Sequence, residues 1–251
     1  MKKALTYTLV FVGIQLLAGG LVSLACELLM GKGEQDAVTL IATTAVAGIV
    51  TIVVFLAAKW AVVSRHWVQT RPWFALCWCV LAALGVLIPS SWLQEQMPEL
   101  PNIAEEAFDI ILKDRWGYFV VGLLAPLSEE LVFRGAILRA LLQWRPNPWV
   151  GICISALLFA MIHLNPAQMP HAFMIGLLLG WLYYRTDSIV PGVVYHWVNN
   201  TVAYVLYNFY PDPNMTLLDL FGSQRTVLLA LLFSLCIFLP ALYQLNLRLK
   251  K

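Results

Sequence analysis

Hydrophobic residues occur along this chain in long stretches separated by short polar segments. A helix needs about 20 consecutive apolar residues to cross a hydrocarbon core about 30 Å thick, and these stretches have that length. The pattern predicts an all-α polytopic membrane bundle of about eight transmembrane helices. The predicted spans are residues 4–26, 38–63, 73–94, 116–143, 148–165, 170–185, 189–208 and 225–246.

The polar segments between the spans are short, and none has the composition of a flexible linker. We therefore expect residues 1–251 to form a single membrane domain. The longest loop, residues 95–115, carries Ile103, Ala107 and Ile111 at i, i+4 and i+8. This spacing predicts a short amphipathic helix at the membrane surface. A packing role is favoured for it over a gate for the substrate.

Composition supports a membrane protein. The chain is 61% hydrophobic and only 12% charged, whereas soluble domains have roughly 45–50% and 25%. The five cysteines lie within or at the edges of spans without zinc-type spacing, so free buried thiols are expected. The formal net charge of +2 gives no reason to expect nucleic acid as a partner.

Lys and Arg are unevenly distributed among the loops, and cytoplasmic loops of membrane proteins retain an excess of them. If the chain has eight spans and both termini are cytoplasmic, most basic residues lie on the inner side of the membrane and most acids on the outer side. We expect a bacterial cytoplasmic membrane protein in this orientation. The basic residues on the inner side would be Lys2, Lys3, Lys59, Arg65, Arg71, Arg139, Arg145, Arg185, Arg248, Lys250 and Lys251. The acids on the outer side would be Glu27, Glu34, Asp36, Glu95, Glu99, Glu105, Glu106, Asp109, Asp114, Asp212 and Asp219.

Three charged side chains lie deep in the fourth predicted span: Glu129, Glu130 and Arg134. A charge at a helix centre costs about 2.5–3.5 kcal/mol on insertion, so this helix needs partners inside the bundle. Glu130 and Arg134 are four residues apart and can pair on one helical face. Glu129 should point about 100° away, toward a different neighbour, and remain free for proton transfer. Charges at this depth favour a functional site over a solvated surface.

Two histidines lie in later spans. His163 ends the run LLFAMIHLNP, and His196 lies in PGVVYHWVNNT with Asn200 following at i+4 on the same face. Each histidine alone fits a packing role as well as a catalytic one. Together with the two acids, they supply a base, a second acid/base group and neutral donors. Hydrolysis of an amide by activated water requires this set of groups.

The motifs around these residues resemble those of the CAAX prenyl protease and bacteriocin-processing family of intramembrane proteases, also called CPBP or Abi proteins. The family's blocks EExxxR, FxxxH and HxxxN correspond to residues 129–134, 159–163 and 196–200. The resemblance covers residues 116–208, the predicted catalytic core. Residues 1–94 would be additional N-terminal transmembrane helices without a recognisable signature.

The resemblance implies an endopeptidase with its active site inside the membrane. By analogy, Glu129 and His163 would hold and deprotonate the attacking water, while His196 and Asn200 would stabilise the oxyanion. The substrate would be a small or membrane-associated protein, either prenylated or a peptide precursor. The lipid bilayer is the other expected partner.

By the same analogy, Glu130 and Arg134 would orient the first acid. Metal dependence stays open at this point. Glu129, His163 and His196 are candidate ligands for Zn²⁺ or another divalent metal, a donor set known from catalytic zinc sites. The chain has no HExxH motif, and these three residues come from three helices. We favour a glutamate-dependent mechanism without a cofactor.

Two other functions are compatible with parts of this pattern. A non-catalytic bacteriocin-immunity or partner-binding protein would keep the bundle, but it would not need an unpaired acid beside two histidines. A proton- or ion-coupled transporter would also bury Glu, Arg and His. No internal repeat of the span pattern is detectable, which counts against a transporter.

Overall fold

A computed structural model describes residues 1–33, 35–64, 72–212 and 215–249. Within these ranges the secondary structure is helical, without strands, which confirms the all-α prediction. The helices are α1 (Lys2–Met30), α2 (Ala37–Ala57), α3 (Trp73–Glu95), α4 (Glu105–Lys113), α5 (residues 119–142), α6 (Pro148–Met161), α7 (Met169–Thr186), α8 (Val190–Phe209), α9 (Leu217–Phe221) and α10 (Gln224–Arg248).

Each predicted span coincides with a helix, although two helices end early. Helix α2 stops at Ala57 rather than near residue 63, and the backbone turns at Lys59 with φ of 57°. Helix α6 stops at Met161 rather than near residue 165, because Leu164 adopts a left-handed conformation ahead of Pro166. His163 therefore lies beyond the end of its helix.

Helices α1, α2, α3 and α10 are each long and apolar enough to cross a membrane, and α6 is a shorter apolar helix. The protein is thus an all-helical chain with several potential membrane spans. The number eight and the orientation of the termini stay predictions. Part of the charge comparison lies outside the described residues, namely Glu34, Arg65, Arg71, Lys250 and Lys251.

The loop helix and the cysteines are partly as expected. Helix α4 forms within the predicted loop and buries Ile111, but Ile103 precedes the helix and is exposed. All five cysteines are free thiols, and only Cys26 and Cys79 are buried. The expectation of burial was wrong for the exposed thiols Cys77, Cys153 and Cys236.

Helix α5 carries the charged motif and changes its winding twice. It consists of a π-helical segment Phe119–Leu124, an α-helical segment Ala125–Val132, a second π-helical segment Phe133–Leu138 and a last α-helical turn Arg139–Leu142. Such segments are rare and occur frequently at functional sites. The acids Glu129 and Glu130 lie in the short α-helical segment between the two π-helical ones.

Helix α5 packs in the centre of one core cluster. Its buried residues Phe133, Ile137 and Leu141 contact residues of α1, α2 and α6. A second cluster joins α3, α7, α8 and α10. Gly176 of α7 lets α6 approach closely, since a Cβ there would lie 2.9 Å from the Cβ of Ala156. These contacts bring α5, α6, α7 and α8 together around the charged motif.

Candidate active site

The charged motif of α5 contains a fully buried ion pair. Arg134 Nη1 donates to Glu130 Oε1 at 2.7 Å, and both side chains have zero solvent exposure. Arg134 Nη2 also donates to the carbonyl of Gly176 at 3.2 Å. The guanidinium lies over the ring of Phe159, with Cζ 4.5 Å from the ring centroid. The pairing predicted from the i, i+4 spacing is therefore confirmed.

His196 of α8 lies between the two acids. Its Nδ1 is 3.2 Å from Glu130 Oε1, and its Nε2 is 3.8 Å from Glu129 Oε2. An ionised carboxylate can accept hydrogen bonds but has none to donate. The contact with Glu130 therefore assigns the proton to His196 Nδ1. Glu129 thus faces a neighbour other than Arg134, as expected, but Glu130 shares that neighbour. One ring nitrogen of His196 faces Glu130, and the other faces Glu129.

Glu129 is the more accessible acid. Its side chain is 18% exposed, whereas that of Glu130 is fully buried. The 3.8 Å separation from His196 is longer than a hydrogen bond. Within the described ranges, Glu129 has no hydrogen bond from another side chain, and its one ionic neighbour closer than 4 Å is His196. Glu129 is thus a carboxylate that retains acceptor capacity.

His163 is half-buried in the turn after α6. Its Nδ1 is 2.8 Å from the carbonyl oxygen of Phe159. A carbonyl only accepts, so Nδ1 carries the proton and Nε2 has the free lone pair in the neutral ring. No hydrogen bond or ion pair joins His163 to Glu129 in the part of the chain that the structure describes.

Phe159 brings the three motifs into contact. Its ring packs edge-on against His163 and His196, with centroid separations of 5.0 and 5.8 Å. Its face receives the guanidinium of Arg134, and its carbonyl orients His163. Sequence reasoning quoted this residue as a motif position without assigning it a role. The FxxxH spacing could have indicated this role, because it places the backbone carbonyl of Phe159 four residues before His163.

Asn200 lies one turn beyond His196 on α8 and is half-buried. Its Nδ2 donates to the backbone carbonyl of Val121 at 2.9 Å. This carbonyl lies in the first π-helical segment, so its expected partner is the backbone N–H five residues later. That residue is Pro126, which has no N–H. The Asn200 amide replaces the missing donor. Its orientation is therefore set by the winding of α5.

Gly192 provides the space for the Glu130 carboxylate. A Cβ at this position would lie 2.6 Å from Glu130 Oε2. Gly192 lies four residues before His196, so the same face of α8 supplies both the close backbone approach and the imidazole. Nothing in the local sequence indicated this role, because the contact joins residues on different helices.

The candidate metal ligands do not form a metal site as they are placed here. Within the described residues, no group of three or more His, Cys, Asp or Glu side chains could hold a metal ion. Glu129 and His196 are neighbours, but His163 turns its Nδ1 toward the carbonyl of Phe159. A catalytic zinc site needs three converging protein ligands.

A cavity of about 510 Å³ lies beside this cluster, between α3, α7, α8 and α10. Its lining is almost entirely apolar, with His171 of α7 among the few polar side chains. Tyr195, which precedes His196 on α8, also lines the cavity, so the cavity adjoins the helix that carries His196. Sequence reasoning passed over His171 because it belongs to none of the three motifs.

The three motifs thus form one cluster: an accessible carboxylate, two imidazoles, an oriented amide and a buried ion pair. Residues 112–202 match the family model described as type II CAAX prenyl endopeptidase Rce1-like. This segment includes all three motifs, and the match confirms the resemblance for it. Over this segment the chain is similar to an endopeptidase family.

A curated protein is similar to part of this chain. It is the UPF0177 protein YxdF of Lactococcus lactis subsp. lactis (strain IL1403), which is 28% identical over 79 residues. The similarity covers 31% of this chain and 42% of that protein, so the chain spans less than half the length of this relative. No solved structure matches the chain.

Proposed function

We propose that this protein is an intramembrane endopeptidase that cleaves a small or membrane-associated protein by means of water activated by Glu129. The observation that carries the proposal is the contrast between two adjacent acids. Glu130 is fully buried and paired with Arg134, whereas Glu129 is partly exposed and retains acceptor capacity beside His196. A general base needs this accessibility, and a structural ion pair does not.

In the proposed reaction, Glu129 accepts a proton from water while the water oxygen attacks the carbonyl carbon of the scissile peptide bond. The tetrahedral intermediate collapses with cleavage of the C–N bond, and the protonated carboxyl returns its proton to the leaving nitrogen. His163 supports the attacking water through Nε2, since its Nδ1–H is engaged by the Phe159 carbonyl. Atoms and charge balance without an external reductant or oxidant.

The developing oxyanion is assigned to His196 and Asn200. His196 donates through Nδ1 to Glu130, so donation from Nε2 to an oxyanion requires the imidazolium form. His196 Nε2 lies on the side of Glu129, 3.8 Å from its Oε2, where the attacking water would be held. Asn200 is oriented by the Val121 carbonyl and has a second amide hydrogen.

Glu130 and Arg134 position these groups without touching the substrate. Glu130 Oε1 accepts from both Arg134 and His196, so the ion pair fixes the plane of the imidazole. Phe159 restricts the same ring from the other side. Preorganised donors of this kind require little rearrangement as charge develops.

The proposed membrane topology has about eight spans with both termini on the cytoplasmic side of a bacterial membrane. It is supported by the coincidence of helices with the predicted spans and by the uneven distribution of Lys and Arg. Residues 116–208 would form the catalytic core and residues 1–94 the additional helices. Labelling of single cysteines with a membrane-impermeant maleimide, introduced at Lys2 and in loop 95–105, would test it. Labelling of both from the same side refutes the topology.

The protease proposal is tested by comparing terminal peptides of membrane proteins from cells that make the wild type, Glu129→Gln or Glu106→Gln at equal abundance. Glu106 is an exposed acid on α4 and provides the matched control. Mass spectrometry should find new cut ends with the wild type and Glu106→Gln but not with Glu129→Gln. Equal processing of an identified substrate by purified wild type and Glu129→Gln refutes the proposal.

The same substrate decides two finer points. Cleavage of a synthetic peptide with and without a prenyl group tests whether the lipid is recognised. Cleavage by protein stripped with a chelator, with metal content measured on the same sample, distinguishes the glutamate mechanism from a divalent-metal mechanism. Full activity of the metal-free protein supports the glutamate mechanism, and activity restored only by added Zn²⁺ supports the metal.

A further inference from the structure

Asn165 is completely buried although it lies in the loop between α6 and α7. It follows His163 by two residues. Its Oδ1 accepts from the backbone N–H of Ile103 at 3.1 Å, and its Nδ2 donates to Asn102 Oδ1 at 2.8 Å. Both ends of this amide are therefore bonded to a loop about sixty residues away in the sequence.

Backbone groups extend the same contact. Ala167 N–H donates to the carbonyl of Pro101 at 3.2 Å. Gln94, at the end of α3, donates from Nε2 to the carbonyl of Ala167 at 3.2 Å. Residues 101–103 and 165–167 thus form a continuous set of hydrogen bonds, which we call the interloop contact. It joins the loop after α3 to the turn that carries His163.

The turn needs an external support for two reasons. His163 lies beyond the end of α6, where its backbone N–H makes a bond of 3.3 Å to Ala160. Leu164 then adopts φ of 51°, a left-handed conformation that residues with a Cβ rarely adopt. Its side chain is 71% exposed, so burial of that side chain contributes little to holding the turn. Strained backbone persists only where the surroundings determine it.

We propose that Asn165 is a positioning residue, which holds His163 at the active site through the interloop contact. Among the described residues, Asn165 has no hydrogen bond to either acid. Its effect is transmitted along two peptide units, from the bonded amide through Leu164 to His163. The inference deepens the proposed function, since it assigns a support to the residue that would hold the attacking water.

The proposal also assigns a role to the loop after α3. Residues 101–103 contribute two acceptors and one donor to the interloop contact. They lie outside the segment that matches the protease family, which begins at residue 112. The N-terminal part of the chain would therefore contribute to the geometry of the active site without supplying a reacting group.

Chemical labelling of histidine tests the positioning without knowledge of a substrate. Purified protein in detergent micelles is treated with diethyl pyrocarbonate, and mass spectrometry follows the modification rate at His163 with His171 as internal reference. Asn165→Ala and Asn102→Ala should each raise the rate at His163 by about fivefold, the population change expected for loss of one hydrogen bond. The rate at His171 should stay unchanged.

Two further variants sharpen this test. Asn102→Asp keeps an acceptor for Asn165 Nδ2 but loses the donation from Asn102 Nδ2 to Glu105 Oε2 at 3.2 Å. It is therefore combined with Glu105→Gln, and the double variant should restore the wild-type rate at His163. Gln96→Ala removes an exposed glutamine on the same loop that bonds only locally to Trp92, and it should have no effect. Asn102 is itself exposed, so Asn102→Ala keeps the test valid if Asn165→Ala does not fold.

The cleavage assay gives an independent readout once a peptide substrate has been found. Asn165→Ala should lower kcat by about tenfold while KM stays within about twofold, because positioning of the water affects the transition state. An unchanged labelling rate at His163 in both alanine variants overturns the positioning role, and so does an equal rise at His171. Raised labelling at His163 in the two alanine variants, together with equal processing of a substrate by wild type and Glu129→Gln, supports the positioning role and refutes the protease.

Discussion

Replacement of Arg134 by methionine should reveal how much the buried ion pair contributes to stability. The guanidinium makes three contacts: with Glu130, with the Gly176 carbonyl and with the face of Phe159. In Arg134→Met, the Glu130 carboxylate stays fully buried beside His196 without its cation. An uncompensated buried charge of this kind costs about 3–5 kcal/mol. We expect the free energy of unfolding to fall by that amount.

Two variants separate charge from geometry. Arg134→Lys keeps the positive charge, but its single ammonium cannot reproduce the planar fork that reaches both Glu130 and Gly176. The loss should be about 1.5–3 kcal/mol, the value of one hydrogen bond to a charged group. The double variant Glu130→Leu/Arg134→Met removes both charges and should be more stable than Arg134→Met, since an apolar replacement of a buried pair is often neutral.

The assay is equilibrium unfolding in mixed micelles of a mild detergent and sodium dodecyl sulfate, followed by tryptophan fluorescence and far-ultraviolet circular dichroism. The chain contains ten tryptophans, so the fluorescence signal is adequate. A loss below about 1 kcal/mol for Arg134→Met would be typical of an exposed pair and would refute the reasoning. The single variant Glu130→Leu completes the comparison. A double variant whose loss equals the summed losses of Glu130→Leu and Arg134→Met would refute the reasoning as well.

Two further predictions concern crowding at Gly192 and the titration of Asp36. Gly192→Ala places a methyl 2.6 Å from Glu130 Oε2, which the buried ion pair holds in place, so overpacking should destabilise the protein by about 1–3 kcal/mol in the same titration. Hydrogen bonds from Lys32 and from the backbone of Val38 hold the pKa of Asp36 below its usual range. Because the pKa of Asp36 is lower in the folded state, its ionised carboxylate stabilises the protein at pH values above the pKa of the unfolded chain. This stabilisation is lost as pH falls through the folded-state pKa. Amide hydrogen exchange at the start of α2 should therefore accelerate, beyond its intrinsic pH dependence, as the solution is acidified.

Each of these expectations has a matched control. Gly13 of α1 has no atom within 4 Å of a Cβ, so Gly13→Ala should leave stability unchanged or raise it by up to about 1 kcal/mol through helix propensity. A stabilised Gly192→Ala would therefore contradict the crowding argument by its sign. Asp36→Asn keeps the capping oxygen without a titrating group. Equal acceleration of exchange in Asp36→Asn and wild type would contradict the assignment to Asp36.

The helices and the ion pair could be predicted from the sequence because both depend on local patterns. Apolar stretches mark helices of membrane length, and α1, α3 and α10 follow the predicted limits within a few residues. Glu130 and Arg134 lie on the same helix four residues apart, so their pairing needed no knowledge of the bundle. The all-helical fold and the buried pair are the parts that local information determines.

The remaining features of the site depend on contacts between distant segments. His196 lies beside Glu129 and Glu130 across 67 and 66 residues, and Asn165 bonds to Asn102 across 63. The crowding of Gly192 against Glu130 is likewise a contact between α8 and α5. Pairs of this kind leave no periodicity in a single sequence. The sequence could therefore identify candidate groups but could not determine which of them would meet.

The winding of α5 combines both kinds of information. Pro126 is visible in the sequence and cannot donate to a carbonyl in the preceding turn. The π-helical hydrogen bonding that leaves the Val121 carbonyl opposite this proline is visible only in the structure. Asn200 of α8 then supplies the missing donor. The proline three residues before Glu129 thus connects the acid-bearing helix to the amide assigned to the oxyanion. In the sequence Pro126 is a residue that breaks helices. In the folded chain its missing N–H leaves the Val121 carbonyl free to accept from Asn200, and this bond holds α8 against α5.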